Sequence, residues 1–101
     1  MTEDAYKVTV AKDLEDLIPV FLNNRSKELD ALRVALAAVD FEQLRQIGHR
    51  MKGVGTSYGF PQVSGFGKGV EDAARSGDRA LLDACVKQYA DFLAKVKITY
   101  E

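Results

Sequence analysis

The sequence predicts an all-α protein: an antiparallel up-down-up-down four-helix bundle with a short extra N-terminal helix or lead-in, one domain over residues 1–101. Three observations point there. Apolar residues recur at alternating steps of three and four through four long segments. The connections between those segments are short and carry cap residues, which makes consecutive helices antiparallel neighbours. The chain has only two prolines, and both suit the start of a helix rather than its interior. At 101 residues it is long enough to bury a core without disulfides or a metal.

Each element follows from local chemistry. Residues 1–12 are mostly polar, with an alternating piece in which Tyr6, Val8 and Val10 share one face if the chain is extended. That piece reads as a lead-in packed across one end of the domain. Asp13 suits the N-cap of a short helix near 13–17, with Glu15 and Asp16 in its first turn. A helix running unbroken from Asp13 would place Pro19 in its interior, so a separate long helix begins near Pro19. Its stripe is Ile18, Leu22, Arg25, Leu29, Leu32, Leu36 and Val39, with Arg25 read as a snorkelling side chain near an end of the bundle. Asp40 and Gln43 form a capping-box variant for a helix over 41–58, and Val39 with Leu44 fits a hydrophobic staple. Gly59 ends that helix and Pro61 opens the next, over about 61–75, which presents Val63, Phe66, Val70 and Ala73 or Ala74 inward. Gly65, Gly67 and Gly69 make it a poor helix in isolation, so tertiary packing must hold it. Ser76-Gly77-Asp78 is a turn, with Asp78 as N-cap of a helix over about 79–97 that buries Leu82, Cys85, Tyr89, Phe92 and Val96. Ile98-Thr99-Tyr100 is expected to fray.

Composition excludes several classes of function. A hydrophobic content of 47% with 29% charged residues describes an ordinary globular domain. Fourteen basic against fifteen acidic residues leave a net charge of −1 and no basic cluster, which argues against nucleic acid as a partner. The one cysteine, Cys85, cannot form an internal disulfide and reads as a buried thiol of a reducing cytoplasm. No apolar run is long enough to span a membrane and no signal peptide is present, so a cytoplasmic protein without membrane contact is expected. The expected state is a monomer.

The chemistry concentrates in Asp40–Pro61, which holds the only histidine and four of the eight glycines. Phe41, Leu44, Gly48, Met51, Gly55 and Tyr58 form the buried stripe, and His49 sits one residue off it, at the edge of the core. Lys52 and Gly53 follow three and four residues later on the same face. A side chain at position 53 would lean back across the imidazole, and glycine leaves that space open. Interior glycine costs ~1 kcal/mol relative to alanine, so Gly48, Gly53 and Gly55 together forgo roughly 3 kcal/mol of helix propensity. Something other than helix stability placed them there.

Most lone helical histidines are solvated or structurally hydrogen-bonded, without further function. A metal site needs more ligands than this chain offers near His49. A hydrolase needs a nucleophile, a base and an orienter, and the hydroxyls of Thr56 and Ser57 come with no oxyanion hole. The local pattern does suit an imidazole acting as the nucleophile. Imidazole has a reference pKa of ~6.5 and offers a nitrogen lone pair at neutral pH. A phosphoryl group on it would carry close to two negative charges, and Lys52, one turn on, supplies a flexible cation. Arg45 and Arg50 read as solvated helix surface, with Arg45 kept as a supporting candidate. Glu71 comes alongside by hairpin geometry, either pairing with Lys52, orienting the imidazole, or remaining an ordinary exposed carboxylate.

His49-Arg50-Met51-Lys52-Gly53, Gly59 ten residues after the histidine, and Val70-Glu71 in the next helix together resemble the histidine-containing phosphotransfer (HPt) domain. The Tyr58-Gly59-Phe60 turn is most similar to the phosphotransfer domains of chemotaxis-type histidine kinases. The resemblance is specific over roughly residues 41–77. It implies a four-helix bundle in which His49 accepts a phosphoryl group from a kinase or from a receiver's phospho-aspartate and passes it to another receiver's aspartate. It implies a phosphocarrier rather than an enzyme, with no ATP site and no cofactor; Mg²⁺ and acid catalysis belong to the partner. Gly65-Phe66-Gly67-Lys68-Gly69 is no nucleotide loop, because it lies mid-helix without a preceding strand. The alternative is a non-phosphorylated helical docking module that uses the same face.

Overall fold

In the computed structural model, which describes residues 6–101, four helices form the body of the molecule. They are α1 (Ile18–Ala37), α2 (Phe41–Ser57), α3 (Pro61–Ser76) and α4 (Arg79–Lys95). Strand β1 (Lys7–Val10) and a 3-10 helix (Lys12–Leu17) precede them, and strand β2 (Lys97–Tyr100) follows. Residues 1–5 of the expected lead-in lie outside the described residues.

The helix boundaries have local causes. The 3-10 helix stands where the short first helix was expected, but its N-cap is Ala11, with no side-chain cap, and not Asp13. Pro19 falls in the first turn of α1, where its missing N–H deprives no carbonyl. Asp40 caps α2 by accepting from the Gln43 amide at 3.1 Å, and Asp78 caps α4 by accepting from the Leu81 amide at 3.0 Å. Three helices end in the same paired hydrogen bonds, a Schellman motif. The Val39 and Asp40 amides donate to Leu36 and Ala35, those of Gly59 and Phe60 to Thr56 and Gly55, and those of Gly77 and Asp78 to Ala74 and Ala73. The motif needs a left-handed residue, and Gly59 and Gly77 adopt it at φ of 79° and 68°. At the end of α1 the left-handed residue is Val39, with φ of 54°. That conformation leaves Val39 exposed rather than stapled against the buried Leu44.

The core is apolar and continuous. Leu32, Leu44, Ile47, Met51, Phe60, Val63, Val70, Leu82, Tyr89 and Phe92 are all fully buried. The inward face of α1 is rotated from the expected stripe: Phe21 and Ala35 are buried, while Leu22 and Leu36 are only half-buried. Phe21 stacks on both Tyr58 and Phe60 with ring centroids 4.7 Å apart, joining the start of α1 to the turn between α2 and α3. On α4, Val86 takes the buried place expected of Cys85, whose thiol is half-buried, and Val96 is also half-buried.

Arg25 does not snorkel. It is buried, with Nε 3.2 Å from Glu28 Oε1 in an ion pair and its guanidinium 4.9 Å over the Phe21 ring. Glu28 Oε1 also accepts from the Tyr89 hydroxyl at 3.0 Å, so one carboxylate ties α1 to α4. Burial pushes the Glu28 carboxyl upward, against the pull of Arg25 and Tyr89.

The expected fraying at the C-terminus is replaced by pairing. β2 lies parallel to β1, with Lys7 opposite Lys97 and Val10 opposite Tyr100. Val8 and Val10 are buried, and Tyr6 packs edge-on against Phe92 at 5.4 Å. Two strands alone are marginal in water, so this sheet persists because its inner face closes one part of the helical core.

Candidate functional site

The site is made by how closely α2 and α3 approach. A Cβ at Gly48 would lie 2.7 Å from Gly67 O and Glu71 N, and one at Gly67 would lie 2.6 Å from Gly48 O and Met51 Cβ. Gly55 repeats this beside Ser64, where a Cβ would meet the Ser64 amide at 2.5 Å. Ser64 Oγ donates to the carbonyl of Lys52 at 2.7 Å across the same seam. Gly48 and Gly55 are therefore explained by packing. Gly53 is different: a Cβ there would meet nothing within 4 Å, and the residue is exposed. This is the geometry expected of a residue that keeps space open.

With the two backbones this close, the carboxylate of Glu71 on α3 reaches the side chains of α2. Glu71 Oε2 lies 3.2 Å from His49 Nδ1, and Glu71 Oε1 accepts from Lys52 Nζ at 2.9 Å. Arg75, one turn further along α3, donates to Glu71 Oε2 at 3.0 Å. The Glu71 side chain is only 1% exposed, whereas those of His49, Lys52 and Arg75 are 68%, 42% and 60% exposed. One buried acceptor thus gathers three exposed donors. Lys52 above all, then Arg75 and His49, hold the Glu71 carboxyl below its ordinary 4.5, although burial alone would raise it.

A carboxylate only accepts hydrogen bonds, so its partner assigns the imidazole proton to Nδ1. The lone pair then resides on Nε2, the ring nitrogen far from the backbone. The arrangement is a tethered, exposed imidazole with one free basic nitrogen, two cations beside it, and an open position where Gly53 lacks a side chain.

The bland alternative for Glu71, an exposed carboxylate, is overturned by its burial. Position 71 falls four residues after Gly67 and three before Ala74, on the inward stripe of α3. Arg45 feels the charge of Glu71 but makes its hydrogen bonds on its own helix. Glu42 binds it through two hydrogen bonds of 3.0 and 2.7 Å, which hold the Glu42 carboxyl down at about 2. Arg50 is exposed, as expected. Arg75 lies outside the residues that the sequence motif points to, although its spacing of four from Glu71 on one helix is a usable signal. Among the described residues no cluster of three or more metal-ligating side chains occurs, and no helix is long and apolar enough to cross a membrane.

The Gly53 geometry allows a direct expectation. Gly53→Ala should melt at or slightly above the parent, gaining up to ~1 kcal/mol from helix propensity, because the new methyl group meets only open space. Gly53→Gln should fold equally well, yet lean back over the imidazole and slow reaction with a large partner. Thermal melts paired with transfer assays check both, and a clear drop in melting temperature for Gly53→Ala would contradict the open position.

Comparison with known proteins agrees with this geometry. The family model described as the Hpt domain matches residues 11–98. Among solved structures, the chain is similar to histidine-containing phosphotransfer protein B (HptB) from Pseudomonas aeruginosa PAO1. The two are 30% identical, the match covers 82% of this chain and 76% of that one, and the TM-score is 0.70. Comparison with curated proteins found no match. These findings speak for the family, and the finer likeness to chemotaxis-type kinases rests on the Tyr58-Gly59-Phe60 turn alone. With the bundle, the matched span and the related structure in agreement, the chain belongs to the Hpt domain family, whose members carry phosphoryl groups in phosphorelays and are not themselves kinases.

Proposed function

We propose that His49 is the phosphoacceptor and that Nε2 is the reacting atom. The carrying observation is the contact of 3.2 Å between Nδ1 and Glu71 Oε2, which assigns the proton to Nδ1 and leaves the Nε2 lone pair free. Nε2 attacks the phosphorus of a donor phosphoryl group, the bond to the donor oxygen breaks, and that oxygen departs with the electron pair. The positive charge that develops on the ring is opposed by the Glu71 carboxylate at Nδ1–H. Lys52 faces the incoming phosphoryl oxygens and must exchange part of its contact with Glu71 for them. Passing the group to a receiver aspartate is the reverse exchange, with the carboxylate oxygen as nucleophile and Nε2 as leaving group.

Hpt domains interact with kinases and receiver domains, and for this chain a histidine kinase or a receiver is the proposed donor and a receiver the proposed acceptor. A cytoplasmic monomer of one domain, independent of nucleic acid and of any cofactor, completes the reading. The balanced charge of −1 supports the independence from nucleic acid, and the single half-buried thiol supports a reducing compartment. The test is incubation with a phosphorylated receiver. Acid-labile, base-stable phosphate should appear on the protein, and NMR should show the Nε2 isomer. Binding of the receiver with no phosphate transferred would leave the docking module as the function instead.

Lys52→Ala should slow transfer by ~1–3 kcal/mol of barrier, the scale of one charge-assisted hydrogen bond, without unfolding the domain. Stopped-flow transfer at low salt measures this. An unchanged rate would return Lys52 to the ordinary surface.

A further inference from the structure

Arg75 and His49 converge on the same atom. Arg75 Nη2 donates to Glu71 Oε2 at 3.0 Å, and His49 Nδ1 lies 3.2 Å from that same oxygen, while Lys52 alone takes Oε1. The division matters because an oxygen already engaged by a guanidinium is a weaker acceptor for a second donor and a weaker anion toward an imidazolium. We infer that Arg75 is a positioning residue for His49, acting through Glu71: by occupying Oε2 it fixes the carboxylate plane and weakens that oxygen as an anion toward the ring. The inference rests on His49 being the phosphoacceptor and adds a residue to that site.

The other charges around the imidazole do not duplicate this role. On α2, Arg45 is bound by Glu42, Arg50 is exposed, and Lys52 holds the other Glu71 oxygen. On α3, Lys68 is paired with Asp72 at 2.8 Å. From α1, Glu28 is engaged by Arg25 and by Tyr89 of α4. Among the described residues only Arg75 shares the oxygen that binds the ring. An ordinary exposed i,i+4 ion pair between Arg75 and Glu71 would contribute only helix stability, and that role would not affect the imidazole.

The experiment is an NMR titration of the His49 ring in the whole protein, comparing the parent with Arg75→Gln and Arg75→Lys, with thermal melts to confirm folding. Removing the guanidinium leaves Glu71 Oε2 to the ring alone and deletes a nearby cation, and both changes favour the imidazolium. Arg75→Gln should therefore raise the titration midpoint measurably. Arg75→Lys should restore much of the parent value. Transfer by Arg75→Gln should then be slowed most on the acid side and recover as pH rises. An unshifted or lowered midpoint in Arg75→Gln overturns the inference. A rate loss of equal size at every pH with an unshifted midpoint also overturns it, because Arg75 would then act on the phosphoryl group directly. The titration reads the ring without any transfer step, so its failure is distinct from a failure of His49 as acceptor.

Discussion

His49→Gln is expected to take up no acid-labile phosphate from a phosphorylated receiver, while melting close to the parent. The chain has one histidine, so the substitution removes the only imidazole available to form a phosphorus–nitrogen bond. The fold should be nearly indifferent. The His49 side chain is 68% exposed, and its side-chain partner among the described residues is Glu71, which a glutamine amide can still reach as a donor. Substitutions at such surface positions change stability within ~0.5 kcal/mol. Phosphate retained by the variant, stable in base and labile in acid, would falsify the assignment of His49. Loss of labelling together with a large loss of stability would mean that the imidazole also holds the helices together, which its exposure contradicts.

Gly67→Ala is expected to damage the fold through a single methyl group. The new Cβ would lie 2.6 Å from Gly48 O, 2.6 Å from Met51 Cβ and 2.8 Å from the Lys52 amide. Most of these atoms are backbone and cannot rotate away, so α3 must move off α2. Overpacking of this kind costs about 2–3 kcal/mol, more than the ~1 kcal/mol that alanine gains in helix propensity. The net loss of about 1–2 kcal/mol should lower the melting temperature of a domain of this size by roughly 4–16 °C. Glu71 sits one turn further along the displaced helix, so its contacts with His49 and Lys52 should lengthen and transfer should slow in the fraction that remains folded. Gly53→Ala is the internal control, because the same chemical change on the same pair of helices meets open space. A Gly67→Ala variant that melts at or above the parent would show that α2 and α3 need not approach so closely.

The two glycine variants also mark the limit of what the sequence discloses. Gly48, Gly53, Gly55 and Gly67 are indistinguishable as letters, each a poor choice for a helix interior. Helical spacing puts Gly48 and Gly55 on the buried stripe and Gly53 off it, but only the packing shows that Gly48, Gly55 and Gly67 each admit a neighbouring backbone. The same holds for charged residues. The sequence places Arg25 as a snorkelling side chain near an end of the bundle and Arg45 on the solvated surface of its helix, as a candidate for a supporting role. One is buried against Phe21 and Glu28, and the other is held by Glu42 on its own helix.

Element boundaries were legible in the sequence because their causes act within a few residues. Asp40, Asp78 and the prolines set helix starts through hydrogen bonds and dihedrals of their own turn, and Gly59 and Gly77 end helices through their left-handed φ. His49, Lys52 and Gly53 share a face for the same local reason, the spacing of one helical turn. The tertiary structure decided what depends on residues far apart in the chain. Glu71 becomes a buried tether because a close helix crossing places it against residues about twenty positions earlier. Arg75 joins the site only through that carboxylate. The C-terminal strand forms because β1, some ninety residues upstream, offers a parallel edge over the core. In each case the free energy comes from burial and from hydrogen bonds across the fold, which no window of a few residues contains.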